Sequence, residues 1–169
     1  MQKIILFFGS VIIFAYTITF NQIYEINAQA YRKLGFAVKH ASHDGALMIN
    51  DLELAQNGKI IFEQEKVLET VKKSLKNNLP LDENLVPLHG FWYKEPLKIV
   101  DIIYIDNSYI DPLTNSEVAF PYIYNYKNIH DGKIYQRAVF GPSIVLIVEA
   151  NLWKMEEPTR EIVIQEYKY

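Results

Sequence analysis

The chain of 169 residues contains no cysteine. That excludes disulfides, thiolate metal sites and thiol nucleophiles. An exported protein built this way fits a Gram-positive type of surface better than the disulfide-rich secreted domains of eukaryotes. A basic excess is missing as well, since 17 Lys and Arg stand against 20 Asp and Glu for a formal charge of −3. Nucleic acid demands clustered cations, so no nucleic-acid partner is expected, and anionic lipid surfaces are disfavoured for the same reason. Glycine and proline number seven each, half of the chain is apolar and 14% is aromatic. Disorder, repeats and low complexity are therefore not expected over its length.

Charge is also missing from one stretch, the most informative in the chain. Lys3 is followed by Ile4 to Phe20, IILFFGSVIIFAYTITF, with no ionisable carboxylate or amine. Its 17 residues would make about 26 Å of helix, enough for a hydrocarbon core of about 30 Å with local thinning. Residues 1–20 are thus a membrane anchor or a signal segment, and membrane contact is expected through residues 4–20. Cleavage after Ala28-Gln29-Ala30 is the competing reading. It would leave a long segment, Asn21 to Ala30 with Glu25 inside it, between the apolar run and the cut, so the anchor is preferred. Lys3 favours an inside N-terminus, whereas Arg32, Lys33 and Lys39 argue the other way. The short leader favours a single-pass protein of the cell membrane with its main domain, residues 21–169, extracytoplasmic. Taking Lys3 away from the total leaves that domain a formal charge of −4.

The helix is expected to continue past the membrane. No proline lies between Asn21 and Asn50, and Ile23, Ile26, Ala30, Leu34, Ala37, Val38, Ala41, Ala46 and Leu47 recur at helical spacing. One helix from about residue 3 to about 50 would then be half embedded and half packed on a head. Gly35 and Gly45 weaken it by about 1 kcal/mol each relative to Ala, or mark a bend or close packing. Lys59 to Phe62 reads as a short extended piece. Glu63 to Asn78 reads as a second helix, with Val67, Leu68, Val71 and Leu75 on one side and Pro80 beyond its end. After a proline-rich connector the period becomes two. Leu97–Asp106, Val118–Lys127, Ser143–Leu152 and Arg160–Tyr169 read as four strands of an antiparallel sheet needing helix cover. The fold class is α+β.

Candidate chemistry is sparse. His40, His43 and Asp44 share a helical face at metal-ligand spacing, but the His-Glu-x-x-His pattern is absent and a structural polar seam is the preferred reading. Asp51, Glu53 and Asn57 before Gly58 loosely suggest a calcium loop. Position twelve, counted from Asp51, is Phe62 and not Glu, so a plain Asn-Gly turn is preferred. Asp101, Asp106 and Asp111 could supply an acid–base pair, yet strand-end and turn roles are commoner. Ser143 follows Gly141-Pro142 without a nucleophile elbow. No catalytic residue, resident metal or cofactor is assigned, and no enzyme is expected. Tyr122, Tyr124 and Tyr126 lie on one face of a strand. Open, they would form a platform for a sugar or a partner; covered, which is preferred, they would be cross-strand packing.

The stretch AYRKLGFAVKHASHDGALMINDLELAQNGKIIFEQEKVLETVKKSLKNNLPLD, Ala30 to Asp82, is similar to TadE/TadG-like proteins of tight-adherence pili. The features that carry it are Ala41 to Ala46 on the helix, Asn57-Gly58-Lys59-Ile60, and a helix closing on Leu75, Asn78 and Leu79. The whole plan also looks like that of pilins and pseudopilins. The resemblance covers under a third of the chain and implies a non-enzymatic envelope or filament component, with envelope or pilus-assembly proteins as partners. Pilin precursors carry a glutamate five residues after a glycine cleavage site; here Gly9 is followed at that distance by Phe14. Neither prepilin processing nor incorporation into a filament core is implied, and no functional residue carries over. The alternatives are an exported ligand-binding module using the aromatic strand face, and a hydrolase built on the scattered Asp and His residues.

Overall fold

Helix α1 (Gln2–Ala46) runs unbroken for 45 residues, about 68 Å at 1.5 Å per residue. The computed structural model describes residues 2–88, 92–127 and 134–168. The two halves of α1 live in different surroundings. From Lys3 to Gln22 every residue but Gly9 is exposed, and this apolar part alone among the described helices is long and apolar enough to cross a membrane or serve as a signal anchor. Its serine and threonine hydroxyls are satisfied within the helix: Ser10, Thr17 and Thr19 donate to the carbonyls of Phe7, Ile13 and Ala15. From Ala30 onward the helix enters the core, where Ala30, Leu34, Ala37, Val38 and Ala41 are fully buried. Small residues on that face let neighbouring elements approach closely.

The helix ends at Ala46, four residues short of the sequence expectation. The reason is a competing set of partners. Ile49 bridges Phe62, Asn50 N donates to Ile61 O at 2.8 Å, and Glu63 N donates to Met48 O at 3.0 Å. Asn50 also caps a short helix, α2 (Asp51–Asn57), its side chain accepting from Leu52 N and Glu53 N. Gly58, at φ 63°, closes α2 in the left-handed region that glycine tolerates. The sequence reading assigned these residues to turns and missed the short helix, of about two turns, between them. Helix α3 (Gln64–Asn78) then buries Val67, Val71, Ser74 and Leu75, while Leu68, expected on the same side, points out.

Among the described residues five strands follow: β1 (Lys98–Ile105), β2 (Tyr122–Lys127), β3 (Ile134–Val139), β4 (Ser143–Ala150) and β5 (Thr159–Glu166). They form two sheets where one was expected. One has the order β1-β4-β5, all antiparallel, and the other is the β2-β3 hairpin. The central strand β4 is buried along nearly its whole length. Its Ile144, Leu146, Val148 and Ala150 join the core under α1 and α3, whereas Val145 and Ile147 join a second core with Ile105, Tyr124 and Val139. The architecture is α+β in three layers: helices, three-stranded sheet, hairpin. Covering both faces of β4 explains why SIVLIVEA reads as a continuous apolar run and not as an alternation.

Candidate functional site

Strand β5 is an edge of the three-stranded sheet, and its sequence TREIVIQE sets a charged pair at the start of an apolar run. Neighbouring strand residues point to opposite faces. Arg160 accordingly faces the hairpin, its Nε donating to Glu149 Oε2 on β4 at 2.7 Å and its Nη1 to the Tyr126 hydroxyl at 3.4 Å. Glu161 faces α1, where it accepts from the Tyr31 hydroxyl and lies near Lys39 and Gly35. A cleft of about 350 Å3 wraps this edge, lined by Tyr31 of α1, both members of the charged pair, and Tyr124, Tyr126 and Tyr135 of the hairpin. The Tyr126 and Tyr135 rings, paired across the hairpin, stand 6.4 Å apart between centroids at 40°.

Electrostatics sharpen the cleft. Burial pushes the Glu161 carboxyl above the usual carboxylate range, while Lys39 and the Tyr31 hydroxyl pull it partly back. The Tyr31 phenol is raised in turn, first by the Glu161 charge and then by burial. Burial raises Tyr124 strongly. Aromatic faces beside a guanidinium, a carboxyl and the Gln136 amide can hold a polar, ring-shaped ligand of modest size.

Of the residues singled out in the sequence, Tyr122, Tyr124 and Tyr126 do share a face, and it turns inward. Tyr124 is 6% exposed and the other two are half-buried. The row packs on the three-stranded sheet and meets the cleft only through Tyr124 and Tyr126. His40, His43 and Asp44 do not converge. Both histidines are exposed, His40 against Phe36 at 4.2 Å between rings, and Asp44 accepts from Ser74 Oγ on α3 at 2.6 Å. Among the described residues no three His, Asp or Glu side chains gather as a metal group would require. Asp51, Glu53 and Asn57 belong to α2, where Asn57 donates to Glu53 at 2.8 Å, and Gly58 is its cap.

The three aspartates are apart. Asp101 is exposed at a bulge in β1. Asp106 is buried and accepts from Phe62 N, Ser108 N and Ser108 Oγ. Asp111 is buried and accepts from Leu113 N, Thr114 Oγ1 and the Tyr122 hydroxyl. Ser143 is buried and donates to Gly141 O. Sequence reasoning missed Tyr31, Tyr135, Arg160 and Glu161. The available signal was an Arg-Glu pair directly ahead of the apolar run Ile162-Val163-Ile164. Compared with models of protein families, with characterised proteins and with solved structures, the chain matches none.

Proposed function

We propose that this protein is a single-pass, membrane-anchored structural or assembly component of the bacterial envelope. Its pseudopilin-like head lies outside the membrane and acts through protein contacts without turnover. The observation that carries this reading is the continuity of α1: its exposed apolar half passes directly into a half that is the core of the head. A rod of that kind holds the head at a fixed distance and orientation from the bilayer. The resemblance of Ala30 to Asp82 to TadE/TadG-like proteins points the same way and makes envelope or pilus-assembly proteins the expected partners. Carbonate extraction, protease shaving of intact cells and the N-terminal mass test it together. A membrane-retained protein with its start intact, shaved from outside and crosslinked to envelope proteins, is the expected result; a soluble protein recovered only as monomer would refute it.

The cleft at the β5 edge favours a second reading, an exported ligand-binding module. Its signature would be a mature start at Tyr31 and saturable binding of a neutral oligosaccharide, lost on Tyr135→Ala.

A further inference from the structure

We infer that the head also rests on the lipid surface itself, through the end formed by the loop between β4 and β5 with Trp153 and Met155; this deepens the reading of α1 as a membrane span and depends on it. Three backbone links assemble that end. Tyr93 bridges Leu152, Lys94 N donates to Asn151 O at 2.9 Å, and Trp153 N donates to Trp92 O at 3.0 Å. The two tryptophans, the only ones in the chain, are thereby neighbours. Two contacts tie them to a known level of α1. The Tyr93 hydroxyl donates to Ala30 O at 3.1 Å, and Lys33 Nζ lies 3.9 Å from the centre of the Trp92 ring.

The loop between β4 and β5 reaches lower along α1. Leu152, Met155 and Thr159 face Tyr24, Asn27 and Tyr31 across a cavity of about 500 Å3. Depth can be counted along the helix. From Lys3, about 30 Å of hydrocarbon at 1.5 Å per residue ends near residue 23. The headgroup layer adds about 5–7 Å, or roughly four residues more. Tyr24 and Asn27 therefore lie at headgroup level, and so does the loop that faces them.

Its chemistry suits that level. Met155 and Tyr24 are exposed apolar groups at 41% and 70%, Trp153 is half-buried, and Lys154 Nζ stands 4.6 Å from its ring centre. Tryptophan and tyrosine concentrate at membrane–water boundaries because each has an apolar body and a polar tip. Lysine stems can lie along apolar surface while the ammonium reaches water. Cations and carboxylates alternate here, Lys94 beside Glu95 and Lys154 ahead of Glu156 and Glu157. Attachment is therefore interfacial and does not rely on anionic lipid.

The test uses the full chain reconstituted in phosphatidylcholine vesicles, with and without bromine on the upper acyl carbons. Flotation reports the anchor, and tryptophan emission reports the contact. The expected result is co-flotation together with loss of emission in brominated vesicles, unchanged when anionic lipid is added. Trp92→Phe should keep most of that loss, and Met155→Asp should relieve it without affecting flotation. Trp153→Phe serves as the reciprocal single-tryptophan sample should Trp92→Phe fold poorly. Co-flotation with emission indifferent to bromine would overturn the inference while leaving the anchor standing. Shielding seen only in native membranes would overturn it in favour of a protein partner. Failure to co-float would remove both.

Discussion

At the scale of single residues, the buried Asp106 and the half-buried Glu161 have opposite characters: one holds the fold and the other strains it. Asp106 uses both oxygens, one for Phe62 N at 3.0 Å and the other for Ser108, so it joins the end of β1 to the segment entering α3. Asp106→Ala would orphan the buried Phe62 N and release the more exposed Ser108 donors, and we expect a loss of about 1–3 kcal/mol in denaturant unfolding. Asp106→Asn should lose much of the same, because its amide must then face one of those donors. Glu161 has the opposite character. Its folded carboxyl binds a proton more readily than the unfolded one. The folded state thus holds more protons, and stability falls as pH rises from the unfolded value of 4.5 through the raised folded value. Glu161→Gln, which can still accept from Tyr31, should flatten that fall and raise the midpoint of thermal unfolding at pH 7. Parallel melts of both proteins from pH 4 to pH 7 check it; equal slopes would show that Glu161 contributes nothing to the pH dependence.

Among the elements, the two long helices were readable from the sequence because each packs on the head through one apolar stripe, and their ends were not, because ends depend on distant partners; α2, with no buried residue, offered no stripe to read. Ala30 to Ala41 announced the buried face of α1, but only Phe62 and Ile61, brought back by the chain, decide that α1 stops at Ala46. Strand β2 was expected from Val118 and begins at Tyr122, since Ile110 bridges Glu117 and Val118 N donates to Tyr109 O. Strand β3 was not expected at all: in IYQRAV only Val139 is buried, so the run carries no alternation to detect. The inward turn of Tyr122 to Tyr126 was legible; the cleft was not, because α1, β5 and the hairpin each contribute one wall. Gly45 was read as bend or close packing, and packing is the answer. A Cβ there would lie 2.9 Å from Val71 Cγ2 and 3.1 Å from Ile144 Cδ1. Gly45→Ala gains about 1 kcal/mol of helix propensity against an overpacking cost of about 1–3 kcal/mol. We expect net destabilisation of about 1 kcal/mol, read as a lowered urea midpoint. Gly9→Ala, with nothing within 4 Å, should leave that midpoint alone.

For the whole molecule, the division of labour along α1 makes anchor and signal peptide distinguishable by stability as well as by mass. No residue from Lys3 to Gln22 is buried against the head, so a chain starting at Asn21 should be soluble and melt with the midpoint of the full-length head. A chain starting at Tyr31 is a different object. It lacks Ala30, which is fully buried and whose carbonyl accepts the Tyr93 hydroxyl, and it places a charged amine where that carbonyl had been. Tyr93 is buried at 1% exposure, so its orphaned hydroxyl alone costs about 1–3 kcal/mol. For a domain of this size each kcal/mol lowers the midpoint by about 2–4 °C. Differential scanning calorimetry should therefore rank the Tyr31 start below the Asn21 start by roughly 5 °C. Equal midpoints would mean that Ala30 is dispensable, and the strongest physical objection to cleavage after Ala28-Gln29-Ala30 would disappear. A gap of the expected size means that cleavage there would remove part of the core, and only an uncut α1 supports both the bilayer segment and the folded head.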